Sequence, residues 1–168
     1  MNKEQQIIAV ARKTIQTESE AIANLSSLVD AEFAAAVDYI FNSQGRVIIT
    51  GIGKSANIAT KIVATLNSTG TPAIFMHAAD AIHGDLGTIL ENDVVICISK
   101  SGNTPEIKVL VPLIKASNNK LIAITSNKDS FLGQKADYVL HAYVEKEACP
   151  NNLAPTTSTT AQLVIGDA

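Results

Sequence analysis

At 168 residues, with 46% hydrophobic and 17% charged side chains, the chain is long enough for one domain with a sizeable core and too apolar to be disordered. Its net charge of −3 argues against nucleic acid or an anionic membrane surface as the main partner. No apolar run approaches the roughly 18 residues of a membrane span, the N-terminus has no signal-peptide pattern, and two cysteines make no disulfide framework, so a reducing cytoplasm is the simplest setting.

Residues 3–29 carry Ile8, Ala11, Ile15, Ile22, Leu25 and Val29 at the spacing of an amphipathic helix. The rest of its surface is polar, so this helix is expected to lie against the domain or against another subunit. A second helix follows with Phe33, Val37, Ile40 and Phe41 on one side, and Ser27 or Asp30 is placed to cap its start. Residues 47–50 form a short β-branched strand that runs at once into Gly51-Ile52-Gly53-Lys54-Ser55 and a helix using Ile58, Ile62, Val63 and Leu66. A turn at 68–72 leads to a second strand over 73–76. The segment 77–88 is rich in small residues and carries His77, Asp80, His83 and Asp85.

The third strand is the apolar run from Val94, which includes Cys97 as a small core residue and ends in Ser99-Lys100-Ser101-Gly102-Asn103-Thr104-Pro105-Glu106. Continuous apolar runs of this kind suit a strand buried on both faces of a parallel sheet. Thr104 has an N-cap side chain and Pro105 stands where a helix accepts proline without losing a hydrogen bond. That helix extends to about residue 116 and contains Pro112, which deletes one backbone bond. A fourth strand over 121–125, a short helix, a fifth strand over 138–141, an irregular loop over 145–155 and a final helical pattern complete the chain.

Alternating strands and helices with short connections imply a doubly wound parallel sheet. In the order 2-1-3-4-5 the chain reverses direction between strands one and three, and ligands of such sheets bind at the carboxyl ends beside that point. The loops 51–55 and 99–104 then flank one crevice. The hydroxyls of Ser99, Ser101 and Thr104, with free backbone N–H groups at a helix start, suit an anion, above all a phosphate. The plainer alternative is a junction whose hydroxyls merely cap the helix.

Other patterns fit less well. Gly53-Lys54-Ser55 resembles the tail of a P-loop, but the first glycine of that pattern is replaced by Ile48. Gly51-x-Gly53-x-x-Ala56 has dinucleotide-fingerprint spacing, yet Phe75-Met76-His77 stands where the acidic residue belongs. His77, His83 and Asp85 have no spacing specific to any metal.

Taken in order, Gly51-Ile52-Gly53-Lys54-Ser55, His83-Gly84-Asp85-Leu86-Gly87, Ser99-x-Ser101-Gly102-x-Thr104-x-Glu106, Lys146-Glu147-Ala148-Cys149-Pro150 and Leu153-Ala154-Pro155-Thr156-Thr157-Ser158-Thr159-Thr160 resemble the sugar isomerase (SIS) domain of arabinose-5-phosphate isomerases. The resemblance covers nearly the whole chain, and its last two stretches are far more specific than the Ser/Thr loop. It implies a flavodoxin-like, three-layer α/β fold, with residues 1–44 as N-terminal helices of the same domain and 45–168 as its sugar-phosphate-binding core. The implied activity interconverts D-ribulose 5-phosphate and D-arabinose 5-phosphate, a step that feeds synthesis of the acid sugar of lipopolysaccharide. A homotetramer with active sites where subunits meet is implied too.

Carried over by motif, Lys54, Glu106, Glu147 and His83 are the catalytic positions. Ser55, Gly70, Thr71, His83, Ser99, Ser101, Gly102 and Thr104 bind substrate, no cofactor is required, and His77 takes an inhibitory divalent metal such as zinc. Against the family pattern, Asn103 replaces a commonly acidic residue. The regulatory pair of CBS motifs that usually follows the SIS domain, and a His-Pro-Gly-Gly stretch that supplies a further histidine, do not occur in these 168 residues, which suggests a shortened C-terminus.

Aldose–ketose isomerisation needs a base, a group that stabilises the developing oxyanion and an acid/base that opens the ring. A carboxylate can serve as base, and which of Glu106 and Glu147 does so stays open; Glu106 in a first helical turn also compensates the dipole by about 0.3–1 kcal/mol. Lys54 at a helix start is poorly placed for helix stability, which favours a functional role. Glu147 on residues alone reads as a solvated surface charge, and His83 as a ring-opening group or a loop-bound histidine. Two further readings remain: a SIS isomerase of another sugar phosphate, and a non-catalytic sugar-phosphate-sensing module, which would keep the serines but would not need Glu106 and Glu147 together.

Overall fold

The computed structural model describes residues 2–168. Helices α1 (Lys3–Leu25) and α2 (Ala31–Asn42) precede an alternating run of β1 (Val47–Gly51), α3 (Lys54–Ser68), β2 (Ala73–His77), α4 (Ala78–Ala81), β3 (Val94–Ile98), α5 (Pro105–Ala116), β4 (Lys120–Thr125), α6 (Phe131–Lys135), β5 (Tyr138–His141) and α7 (Thr157–Asp167). The five strands form one sheet in the order β2-β1-β3-β4-β5, and every pairing is parallel. This is the expected doubly wound order.

Strand alternation divides the core. Val47, Ile49, Ile96, Ile98, Ile122 and Ile124 project to one face, where Leu25, Ala36, Ala59, Ile62, Ala161 and Ile165 from α1, α2, α3 and α7 cover them. Ile48, Val95, Cys97, Leu121 and Ala123 project to the other, against Ala78, Ile107, Leu110, Ile114 and Leu132 from α4, α5 and α6. Burial on both faces explains why these strands read as unbroken apolar runs. It also pushes the Cys97 thiol up to about 12, leaving it an inert core side chain.

Because α3 and α5 lie on opposite faces, the chain leaves the carboxyl ends of β1 and β3 in opposite directions and a crevice opens there. Gly51 permits the close approach of α3: a Cβ on it would stand 3.1 Å from the Ser55 carbonyl carbon and 3.2 Å from the Ile98 carbonyl oxygen. Asp30 caps α2, accepting from the N–H groups of Glu32 and Phe33 at 3.0 and 3.2 Å. Pro112 stands within α5 on an exposed stretch, where water can serve the carbonyl it leaves unpaired.

The first helix differs from expectation. Of its anticipated apolar face only Leu25 is buried, whereas Ile8 is 43% and Ile15 66% exposed. The α-helix ends at Leu25, a 3₁₀ turn follows over Ser26–Leu28, and Val29 lies outside both. Docking is confined to the C-terminal half, which packs on α7 and receives a hydrogen bond from the Thr160 hydroxyl to Glu18 Oε2 at 3.0 Å.

Candidate functional site

The loop leaving β3 is pinned to its neighbour. Ser99 N–H donates to the Ile124 carbonyl at 3.0 Å, and the Lys100 carbonyl accepts from Ser126 N–H and from the Thr125 hydroxyl, both at 3.1 Å. Within the loop, Gly102 N–H donates to Ser99 Oγ at 3.1 Å and Asn103 N–H to Ser101 Oγ at 3.3 Å. Gly102 is buried with φ +64°, and a Cβ there would collide with Ser130. Only glycine meets both demands.

The loop delivers Thr104 to the N-cap of α5, but its side chain makes no capping bond. Among the described residues, its buried Oγ1 has no hydrogen-bond partner. The capping alternative therefore fails for Thr104, and the start of α5 keeps its positive end and its N–H groups open to an anion. The start of α3 is similarly open, since its N-cap is Gly53 at φ +59° and the exposed Lys54 follows at once.

The third wall comes from α7. Ser55 Oγ donates to Gln162 Oε1 at 3.1 Å, which ties α7 to the start of α3. Ser158 and Gln162 are each 1% exposed, and among the described residues Ser158 Oγ and Gln162 Nε2 have no partner. Together Lys54, Ser55, Ser99, Thr104, Ser158 and Gln162 line a crevice of about 340 Å³. Open helix starts, an ammonium group and unpartnered hydroxyl and amide donors make it a receptor for an anionic, oxygen-rich ligand.

Glu147 is 4% exposed, not the solvated charge its bare sequence context suggests. Its Oε1 accepts from Lys100 Nζ at 2.6 Å. Its Oε2 accepts from the N–H groups of Thr156 and Ser158 at 2.9 and 3.1 Å, so the carboxylate fills the N-terminus of α7. Burial alone would raise its pKa; the Lys100 ammonium and the N–H groups of Thr156 and Ser158 outweigh burial and hold it at about 2. In this arrangement Glu147 is a fixed anion that orients Lys100 and anchors α7. Acting as a base would require it to leave Lys100.

Glu106 is half-buried in the first turn of α5, beside Thr104, and makes no ion pair among the described residues. His83 is exposed just past α4, on the carboxyl side of the sheet but outside the crevice wall. Gly70 and Thr71 lie at the other end of the 15-residue α3, about 22 Å of helix away at the amino edge of the sheet. One chain therefore does not bring them to its own crevice. His77 ends β2 with Nδ1 3.8 Å from Asp80 Oδ2, a pair of metal-capable groups. Among the described residues no set of three such groups converges.

Sequence reasoning passed over Lys100, Ser158 and Gln162. A signal existed for Gln162, since it falls on the buried face of α7 with Ser158, Ala161 and Ile165. A polar residue in that row calls for a partner. No such signal marks Lys100, whose partner is 47 residues away.

Comparison with known proteins agrees with this geometry. Residues 40–168 match the SIS domain family. Arabinose 5-phosphate isomerase KpsF of Escherichia coli O6:H1 (strain CFT073) is 49% identical over 96% of this chain and 50% of its own length. Arabinose 5-phosphate isomerase KdsD of Pseudomonas aeruginosa is 46% identical over 100% of the chain and 52% of its own. The chain thus spans about half the length of these curated relatives. A solved structure of an E. coli CFT073 protein in complex with arabinose 5-phosphate superposes with a TM-score of 0.90 at 39% identity, covering 99% of this chain and 88% of that one. With a family match over most of its length and a fold shared end to end with that relative, the chain belongs to the SIS domain family.

Proposed function

We propose that the chain carries the active-site domain of an aldose–ketose isomerase that interconverts D-arabinose 5-phosphate and D-ribulose 5-phosphate. The observation that carries the reading is the open start of α5, where the Thr104 hydroxyl is buried without a partner. It supports a phosphate held by Ser99, Ser101, Gly102 and Thr104, with Ser55 on the sugar side across the crevice. The likeness to the relative solved with arabinose 5-phosphate supports the choice of sugar. The names of the curated relatives favour an isomerase over a sensing module.

In the open-chain aldose a base takes the C2 proton and returns it to C1 of the enediol, while a proton passes between O2 and O1. Glu106 is the better base, because the low pKa of Glu147 makes that carboxylate a weak proton acceptor. Lys54 stands where an ammonium stabilises enediolate oxygen. His83, Gly70 and Thr71 reach a crevice only from a neighbouring copy, and the exposed apolar row on α1 supports such an assembly, a homotetramer. The reaction proceeds without a metal, and a divalent ion such as zinc at His77 and Asp80 inhibits it. The reaction, run toward the aldose, feeds lipopolysaccharide acid-sugar synthesis in the cytoplasm.

The test is NMR of the chain with D-arabinose 5-phosphate, following ketose signals. Their growth is expected; a chain that neither binds nor turns over D-arabinose 5-phosphate overturns the reading, and binding without turnover restricts these residues to sugar-phosphate binding.

A further inference from the structure

Gln162 is the buried polar residue that the proposed mechanism leaves unused. It sits one turn past Ser158 on α7, 1% exposed, on the face it shares with Ala161 and Ile165. A leucine or methionine would satisfy that packing. A primary amide offers two acceptor sites and two N–H donors, and here only the Oε1 side is engaged, by the Ser55 hydroxyl at 3.1 Å. That bond tethers one end of the amide, and Nε2 at the other end is left without a partner among the described residues while the side chain lines the crevice. Burying a donor so that it faces a ligand crevice is a loss to folding unless a ligand completes it.

We infer that Gln162 is a sugar-contacting residue whose Nε2–H donates to an oxygen of the carbon chain. This rests on the sugar-phosphate reading of the crevice given above. The phosphate is already served from the β3 side by the open start of α5 and the 99–104 loop. Gln162 hangs from the opposite wall, tethered to α3 beside Lys54. A pentose phosphate carries an oxygen on each carbon, so the wall away from the phosphate needs donors. Losing this one weakens sugar binding and spares phosphate binding.

Calorimetric titration of the full chain with D-arabinose 5-phosphate and, separately, with inorganic phosphate tests it. Gln162→Met is expected to weaken the sugar phosphate about tenfold and to leave phosphate within about twofold. In the parent, the Gln162 side-chain NH₂ resonance is expected to shift with the sugar phosphate and stay in place with phosphate; this measurement decides the matter even if the variant fails to fold. Equal sugar-phosphate affinity in parent and variant, parallel loss of both probes, or a resonance that moves equally with both overturns the assignment alone. A parent that binds phosphate but no D-arabinose 5-phosphate overturns the activity reading and this assignment with it.

Discussion

Lys100 Nζ stands 2.6 Å from Glu147 Oε1, and the two residues face opposite environments: the lysine side chain is 43% exposed and the glutamate side chain 1%. A carboxylate buried this deeply needs its partners. It has four: Lys100 on the loop after β3, two N–H groups at the start of α7 and the Thr156 hydroxyl. One side chain thus joins the anion-ready loop to the helix that forms the far wall of the crevice.

The first prediction concerns that link. Glu147 has an ordinary pKa of 4.5 and a folded value of about 2. A depressed pKa adds stability that is full above 4.5 and disappears as pH falls toward 2, with about 3 kcal/mol at stake. Glu147→Gln should therefore melt well below the parent at pH 7, and the gap should narrow between pH 4.5 and 2. Thermal melts across that range check it. A gap that stays constant to pH 3 would mean that the charge on Glu147 contributes nothing to the fold.

Thr104→Val separates ligand binding from stability. The hydroxyl makes no bond within the chain, so its removal deletes no intramolecular interaction and relieves a buried unpartnered oxygen. Stability should stay within about 0.5 kcal/mol of the parent or rise. Affinity for inorganic phosphate should fall about tenfold, the loss of one hydrogen bond to a charged group. Calorimetry with phosphate, paired with denaturant unfolding, reads both. A stability loss without an affinity loss would restore the capping role.

Glu106→Gln should keep D-arabinose 5-phosphate bound and lower kcat by about 10²–10⁴-fold, the range for a lost general base. The amide keeps the size of the side chain and cannot accept the C2 proton. An unchanged kcat in this variant, beside a lost kcat in Glu147→Gln, would transfer the proton-accepting role to Glu147 and require the Lys100 pair to open during turnover.

Sheet order and crevice were both readable from sequence for one reason: strands covered on both faces leave unbroken apolar runs, and the glycine and hydroxyl residues that follow mark their carboxyl ends. The Ser99–Thr104 loop is therefore visible in one dimension. The Glu147 environment is not. Its partners are Lys100 on another strand loop and N–H groups of a helix 9 and 11 residues further on, and an irregular loop gives no period from which burial can be inferred. The long apolar stripe of α1 misleads in the opposite sense. Periodicity reports that a face is apolar and not which body covers it, and along α1 the core covers only the C-terminal half.

The exposed stretch of α1 yields the last prediction. Ile8 and Ile15 lie seven residues apart on one face, 43% and 66% exposed, so neither stabilises the isolated chain by much. If copies of the chain pack there, two charges on that face would bury unpaired carboxylates in the assembly and cost nothing in the monomer. The Ile8→Glu/Ile15→Glu double variant should therefore keep a parent-like far-UV spectrum while its mass by analytical ultracentrifugation drops below that of the parent. Activity should drop with it if the proposed shared site holds, because Gly70 and Thr71 stand about 22 Å of helix away from the crevice of their own chain. A double variant that keeps the parent mass would remove α1 from the interface. One that dissociates with full activity would show that a single chain completes its own site.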